Sequence, residues 1–162
     1  MFDFSQAVDV FKTVQENPVL LAAFTDYAVK NWSVENVLFY KETEIFRDTF
    51  EAMNPESRRE KAEAIMNEFV AIGSPLEINI EHTARTSLVK KIKEGNVTVE
   101  IFKVAQKHVY ELMKKDSFDK WQKTTEYRLA VEKAMAKRST SRSQDRAAST
   151  TGGGGGSAIF FE

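Results

Sequence analysis

An aspartate, a serine and a lysine lie close together in the segment ELMKKDSFDKW, residues 111–121. Apolar residues upstream recur every three or four positions, which is typical of one buried helix face, and that stripe closes at Leu112. Two lysines then favour a helix C-terminus, and Asp116 and Ser117 have short side chains that suit the N-cap of a following helix. The spacing therefore predicts a corner between two helices. Asp116, Ser117 and Lys120 could hydrogen-bond a partner there, but capping alone also explains the first two.

The rest of the chain offers no self-sufficient active site. It has no cysteine, which excludes disulfides, thiolate nucleophiles and zinc sites with cysteine ligands. His82 and His108 are the two histidines, and neither has the spacing of a zinc or di-iron site. We interpret both as solvent-exposed. Because no phosphate-binding or nucleophile motif occurs either, we predict no catalytic residue, no cofactor and no metal.

Charge and hydropathy limit the partners further. The net charge of −1 argues against nucleic acid as a partner. No apolar run reaches the length that spans a bilayer, so we predict a cytoplasmic protein. From Lys137 onward the chain has four basic and two acidic residues, and one hypothesis is that this segment weakly contacts the inner face of the plasma membrane. A plain solvated linker is the alternative.

Helical periodicity dominates the first 136 residues, and we predict an all-α bundle of short-connected helices. Ser33 is a predicted N-cap, prolines and glycines mark the boundaries, and residues 74–81 are predicted to be extended or looped. The predicted helices cover residues 4–16, 19–30, 34–53, 55–72, 82–93, 98–113 and 117–136.

The composition changes after residue 136. Residues 137–157 are rich in Ser, Arg and Gly and predict a flexible tail, because such a segment cannot bury a core. Residues 158–162 form a short apolar segment. Ile159, Phe160 and Phe161 could dock back onto the domain, and an incidental chain end is the other interpretation.

Three segments resemble one family. Residues 32–40, WSVENVLFY, are similar to the S-x-E-N signature of regulator of G-protein signalling (RGS) domains. Glu77, Ile78, Asn79 and Ile80, with a threonine and an arginine downstream, resemble the family's E-h-N-h and T-x-R loop, and AQKHVYELMKKDSFDKW from Ala105 resembles its third motif. The segments occur in family order over residues 16–128. The resemblance implies an RGS-like bundle, with a four-helix subdomain and a terminal-helix subdomain, over residues 1–136.

The resemblance also implies a function. RGS domains bind heterotrimeric G-protein α subunits in the GTP or transition-state form and accelerate GTP hydrolysis. They hold the switch segments of the α subunit and contribute no catalytic group, so the chain is expected to be an activator and not an enzyme. The alternative is an RGS-like interaction scaffold that does not activate hydrolysis.

Carried over residue by residue, the family pattern implies a set of contacts with the α subunit. Asn79 matches the position that reaches toward the switch residues and the glutamine that orients water. Lys120 departs from the arginine of many members, which leaves the choice of α subunit open. The implied contact residues are Trp32, Glu35, Asn36, Asn79, Leu112, Asp116, Ser117 and Lys120.

Some of these residues have structural interpretations as well. Asn36 is a normal polar residue for a first helical turn, and Asn79 fits turn chemistry near Pro75. We interpret Arg85 as structural support, with its guanidinium predicted to pair with Glu35 or Asp116.

Overall fold

The computed structural model describes the backbone of residues 10–150 and the side chains of residues 10–137. This part of the chain contains helices and turns and no strand, which confirms the all-α prediction. A 3₁₀ turn, Phe50–Ala52, follows the third helix, while π-helical turns extend the fourth, Met66–Val70, and the sixth, Met113–Phe118. The helices are α1 Val10–Glu16, α2 Pro18–Lys30, α3 Val34–Thr49, α4 Pro55–Ile65, α5 His82–Lys93, α6 Lys103–Leu112, α7 Asp119–Trp121 and α8 Thr125–Thr150.

Helices α3, α4, α5 and α6 pack in a ring and form a four-helix bundle. Its core is filled by phenylalanines from α3, from the π turn after α4 and from the residue before α6. Phe39 and Phe46 of α3 are completely buried. The Phe39 ring lies 5.7 Å from that of Phe69, and the Phe46 ring lies 5.2 Å from that of Phe102. Edge-to-face pairs at these distances stabilise the core beyond simple burial. The predicted four-helix subdomain is confirmed.

The second subdomain consists of α1, α2 and α8, which pack around the end of the long α6–α7 segment. Its core is a second aromatic cluster, in which the Phe11 and Phe118 rings are 4.9 Å apart and the Phe24 and Trp121 rings are 5.3 Å apart. The segment from α6 to α7 contributes to both subdomains. Its orientation is therefore fixed by packing in both subdomains.

Asparagine–proline pairs begin two helices, as the sequence indicates. Asn17 Oδ1 accepts hydrogen bonds from the Val19 and Leu20 amides at 3.0 and 3.2 Å, and Asn54 Oδ1 accepts one from the Ser57 amide at 2.8 Å. Each proline follows its cap at the first helical position, where no amide hydrogen is needed. A glycine marks the C-terminal end of α5: Gly95 adopts a φ of +77°, which a residue with a side chain rarely reaches.

The predicted helix corner at Asp116 and Ser117 is wrong. The helix continues through the π turn Met113–Phe118 to the end of α7, and the chain turns at residues 122–124. Met113 and Phe118 are five residues apart and are both almost fully buried. A π turn repeats at about this interval, so it brings both side chains to the core, whereas a regular α-helix would not. Thr124 caps the next helix instead, because its Oγ1 accepts the Tyr127 amide at 3.2 Å.

Two further boundaries differ from prediction. Helix α6 begins at Lys103 and not near residue 98, because residues 98–102 form turns, with the Ile101 amide donating to the Thr98 carbonyl at 3.1 Å. Helix α8 continues to Thr150, whereas the sequence predicts a flexible tail from residue 137. The beginning of the first predicted helix, the glycine run and the apolar segment 158–162 lie outside the described residues.

Within residues 10–150, none of the helices combines the length and the apolar composition that a bilayer crossing requires.

Candidate protein-binding site

An open cleft of about 470 Å³ lies between the loop that precedes α5 and the face of α6 that continues into the π turn. One wall carries Asn79 and the other carries Leu112 and Asp116, so residues distant in sequence line one cavity. The complete lining is Asn79, Ile80, Glu81, His108, Glu111, Leu112, Lys115 and Asp116.

Asn79 is presented by an extended segment that alternates between the core and the solvent. Ile78 is completely buried, Ile80 is 8% exposed, and Asn79 between them is exposed. The Ile78 amide also donates to the Phe69 carbonyl at 2.9 Å, which ties the segment to the end of the bundle. The two isoleucines leave Asn79 little freedom to turn away from the cleft, because reversing it would expose both of them.

The Arg85 side chain fixes the same segment through hydrogen bonds to backbone carbonyls. Its guanidinium donates to the Ile78 carbonyl at 2.8 Å and to the Val70 carbonyl, and it lies 3.0 Å from Glu77 Oε1. The predicted pairing with Glu35 or Asp116 is therefore wrong. Arg85 lies one turn into α5, directly after the loop, and Glu77 in that loop is the acidic residue that its guanidinium contacts.

Glu77 connects two parts of the loop through its carboxylate. Its Oε2 accepts a hydrogen bond from the Gly73 amide at 2.7 Å while its Oε1 faces Arg85. The Arg85 side chain is 11% exposed, so this ion pair is more shielded from water than a surface pair. The loop that carries Asn79 is thus fixed by side-chain contacts at several points.

A second group of predicted contact residues lies at the start of α3. Asn36 is 5% exposed, and its Nδ2 donates to Glu35 Oε1 at 2.8 Å. Its Oδ1 is enclosed and has no hydrogen-bond partner among the described residues. Ser33 occupies the predicted N-cap position, but its side chain makes no capping hydrogen bond. Instead, Ser117 Oγ donates to Ser33 Oγ at 3.3 Å, which joins this group to the π turn.

Trp32 projects from the turn between α2 and α3 and is 93% exposed. Its φ is +54°, in the left-handed region that favours glycine. The Ser33 amide donates to the Ala28 carbonyl at 3.0 Å, which is the hydrogen bond of a Schellman C-cap. A tryptophan in this position costs stability and buries almost nothing, so neither the core nor the cap explains it.

Burial raises the pKa of the Glu35 carboxyl, and a backbone hydrogen bond partly opposes that rise. A raised folded-state pKa means that the contribution of Glu35 to stability is greatest at low pH, and that it declines as the pH rises past the ordinary glutamate pKa of 4.5. We therefore expect Glu35→Gln to gain stability relative to the parent chain between pH 4 and pH 7.

Urea unfolding at several pH values measures this difference directly. Glu60→Gln removes an exposed carboxylate from α4 and controls for the loss of one charge. A Glu35→Gln difference that is the same at pH 4 and pH 7 would contradict the assignment.

The structure separates the predicted contact residues into three groups. Asn79, Leu112 and Asp116 line the cleft, while Ser117 contacts Ser33 near Trp32, Glu35 and Asn36. Lys120 is exposed on α7 and does not line the cleft.

Sequence reasoning missed several cleft residues. The sequence indicates a solvent-exposed His108, but its side chain is half-buried in the cleft wall, and the exposed Glu111 and Lys115 lie on the same helical face. Their spacing of three and seven from His108 was the available signal.

Comparison with known proteins identifies the family. A sequence profile described as "Regulator of G protein signaling domain" matches residues 10–129. The chain is similar to human Regulator of G-protein signaling 21, with 36% identity over 119 residues that cover 74% of this chain and 75% of that protein. Pig Regulator of G-protein signaling 5 is 30% identical over 74% of this chain and 63% of its own length. Zebrafish Regulator of G-protein signaling 8 is 30% identical over 70% of this chain and 62% of its own length.

The chain therefore spans a little under two thirds of the pig and zebrafish proteins. The profile covers the four-helix bundle, every residue of the cleft, and the second subdomain up to the first turn of α8. This chain belongs to the family of regulator of G protein signaling domains.

Proposed function

We propose that this chain accelerates GTP hydrolysis by heterotrimeric G-protein α subunits, by binding their switch segments in the shape they take at the transition state. The observation that carries the proposal is the meeting of Asn79 with Leu112 and Asp116 across one cleft. The relatives' names describe regulators of G-protein signaling, which agrees with this partner.

The α subunit supplies the chemical groups of the reaction. It has its own arginine, which stabilises charge on the phosphates, and a glutamine that orients the attacking water. A partner can accelerate the reaction by holding these groups still, since positioning lowers the entropic part of the barrier. The Asn79 amide suits this role because it offers a donor and an acceptor without adding charge.

The rigidity of the Asn79 loop supports this mechanism. The buried isoleucines on each side and the Arg85–Glu77 pair hold the loop before any partner arrives. Because the loop is already ordered, binding a partner costs little conformational entropy at this contact. We propose that Arg85 acts through the loop and does not itself contact the α subunit.

The opposite wall supplies the second half of the proposed contact. Leu112 offers an apolar surface, and the exposed Asp116 carboxylate can accept hydrogen bonds from amides or hydroxyls of a switch segment. Ser117 and the start of α3, with Glu35 and Asn36, extend the contact surface, and Lys120 lies at its margin.

Single-turnover GTP hydrolysis by a panel of purified α subunits tests the proposal. We expect at least one α subunit to hydrolyse GTP faster when the domain is present at saturating concentration. An unchanged rate across the whole panel would contradict the proposal.

A non-activating interaction scaffold is the second candidate function. Lys120 favours it, because a lysine cannot make the bidentate contact that an arginine makes at this margin. A scaffold would bind its α subunit equally well whatever nucleotide that subunit holds. Membrane contact through the basic segment and self-docking of Ile159, Phe160 and Phe161 stay predictions, since the side chains of residues 138–162 lie outside the described part of the chain.

Trp32→Gly separates contact from stability. Glycine relieves the left-handed backbone, and we expect the free energy of unfolding to rise by about 0.5–1 kcal/mol. Loss of an aromatic anchor should raise the concentration of domain that gives half-maximal activation by roughly tenfold or more.

Thermal unfolding and activation titrations measure the two effects of Trp32→Gly. Leu129→Ala, which truncates an exposed apolar side chain on α8, is the control. A variant that is more stable and activates at the parent concentration would remove Trp32 from the contact surface.

A further inference from the structure

The wall of the cleft contains an imidazole that none of the family motifs includes among the contact residues. His108 lies on α6 one turn before Leu112, so the two side chains share a helix face. Val104, one turn earlier still, is 62% exposed. The face of α6 that enters the cleft therefore continues beyond the residues that match the family's contacts.

The two nitrogens of the His108 ring have different surroundings. Nδ1 is enclosed and has no hydrogen-bond partner among the described residues. Nε2 is not among the enclosed atoms and makes no hydrogen bond within the same part of the chain, so it is the nitrogen open to the cleft. A neutral imidazole carries its proton on one of the two nitrogens. With the proton on Nε2, water or a partner can accept it, whereas a proton on Nδ1 would have no acceptor.

The charges around this ring leave few donors. Glu81, directly before α5, lines the cleft on the Asn79 side, and Glu111 and Asp116 lie on the same wall as His108, with Lys115 as the one cation in the lining. Carboxylates can only accept hydrogen bonds. An acceptor on a partner segment that enters beside the carboxylates would therefore find its donors in His108, Lys115 and the Asn79 amide.

We propose that His108 is a further partner contact, whose Nε2–H donates to a carbonyl, hydroxyl or carboxylate oxygen of the segment that enters the cleft beside Asn79. This inference rests on the proposed function, because the segment is taken to be a switch region of an α subunit. His108 would then discriminate between α subunits that offer an acceptor at this point and those that offer an apolar or cationic group.

Activation titrations with His108→Leu, His108→Gln and the parent chain test the proposal. We expect His108→Leu to raise the concentration for half-maximal activation about fivefold to tenfold, with the rate at saturation unchanged. His108→Gln keeps a donor and should remain within about twofold of the parent. His82→Leu makes the same substitution at the other histidine, which is exposed and outside the cleft lining, and should change nothing.

Stability separates a contact from a structural histidine. Because Nδ1 is enclosed without a partner, His108→Leu should melt at the parent temperature or above it, whereas a structural histidine would lose stability. Parent-like titration by His108→Leu would overturn the contact, and equal impairment of the Leu and Gln variants would overturn the hydrogen bond. If the parent chain itself activates no α subunit, the proposed function fails, and the contact fails with it.

Discussion

Replacing Asn79 with alanine is expected to slow α-subunit GTP hydrolysis in the saturated complex by roughly 5- to 150-fold, or about 1–3 kcal/mol of transition-state stabilisation. The amide is held at the cleft by two buried isoleucines and by the loop contacts of Arg85. Its loss therefore removes a positioned donor and acceptor from the cleft. Single-turnover hydrolysis at saturating domain measures the effect.

The stability of the fold should be almost unaffected by Asn79→Ala. Asn79 is exposed, and the free energy of unfolding should stay within about 0.5 kcal/mol of the parent. Asn67→Ala truncates another exposed asparagine, outside the cleft, and should leave both activity and stability unchanged. Parent-like acceleration by Asn79→Ala would show that the match at this position has no functional meaning.

Arg85→Leu is expected to have the largest effect on stability, a loss of roughly 2–4 kcal/mol. The substitution leaves the Val70 and Ile78 carbonyls without their donor and the Glu77 carboxylate without its cation. Where the variant stays folded, the loosened loop should also impair activation, because Asn79 is no longer held at the cleft. Urea unfolding gives the first effect and single-turnover hydrolysis gives the second.

Arg59→Leu is the matched control. Arg59 lies 2.9 Å from Glu63 on α4, but its side chain is 56% exposed. An exposed pair of this kind contributes little, so the change in unfolding free energy should be about 0.5 kcal/mol or less. Equal losses from Arg85→Leu and Arg59→Leu would contradict the role assigned to the Arg85 contacts. Arg85→Lys should recover only part of the stability, since one ammonium cannot replace the planar fork.

The helical fold can be predicted from local patterns in the sequence. Asn17 and Asn54, each before a proline, begin helices, and Gly95 ends one, because these signals act within a single turn. The corner that the sequence predicts at Asp116 is replaced by a continuous helix for a physical reason. The π turn buries both Met113 and Phe118, which pack against the rest of the protein. That packing is not visible in the local sequence, where Asp116 and Ser117 have side chains typical of a helix N-cap.

The site was predictable where it follows the family's motifs and not where it depends on packing. The exposure of Asn79 between Ile78 and Ile80 agrees with the alternation in the sequence. Arg85 was assigned the wrong acidic partner, because pairing across a loop depends on how the loop closes. The spacing of His108 from Leu112 places both on one helix face, but only the packing of α6 against the loop before α5 shows that this face meets Asn79.

Equilibrium binding to an α subunit in three nucleotide states tests the central claim most directly. The states are GDP, GDP with aluminium fluoride, and a non-hydrolysable GTP analogue. A domain that stabilises the transition state should bind the aluminium fluoride form most tightly, because differential affinity for that state is what accelerates hydrolysis. We expect that preference to be about tenfold or more over the GDP form. Equal affinity for all three states would contradict activation and would instead identify the chain as a scaffold.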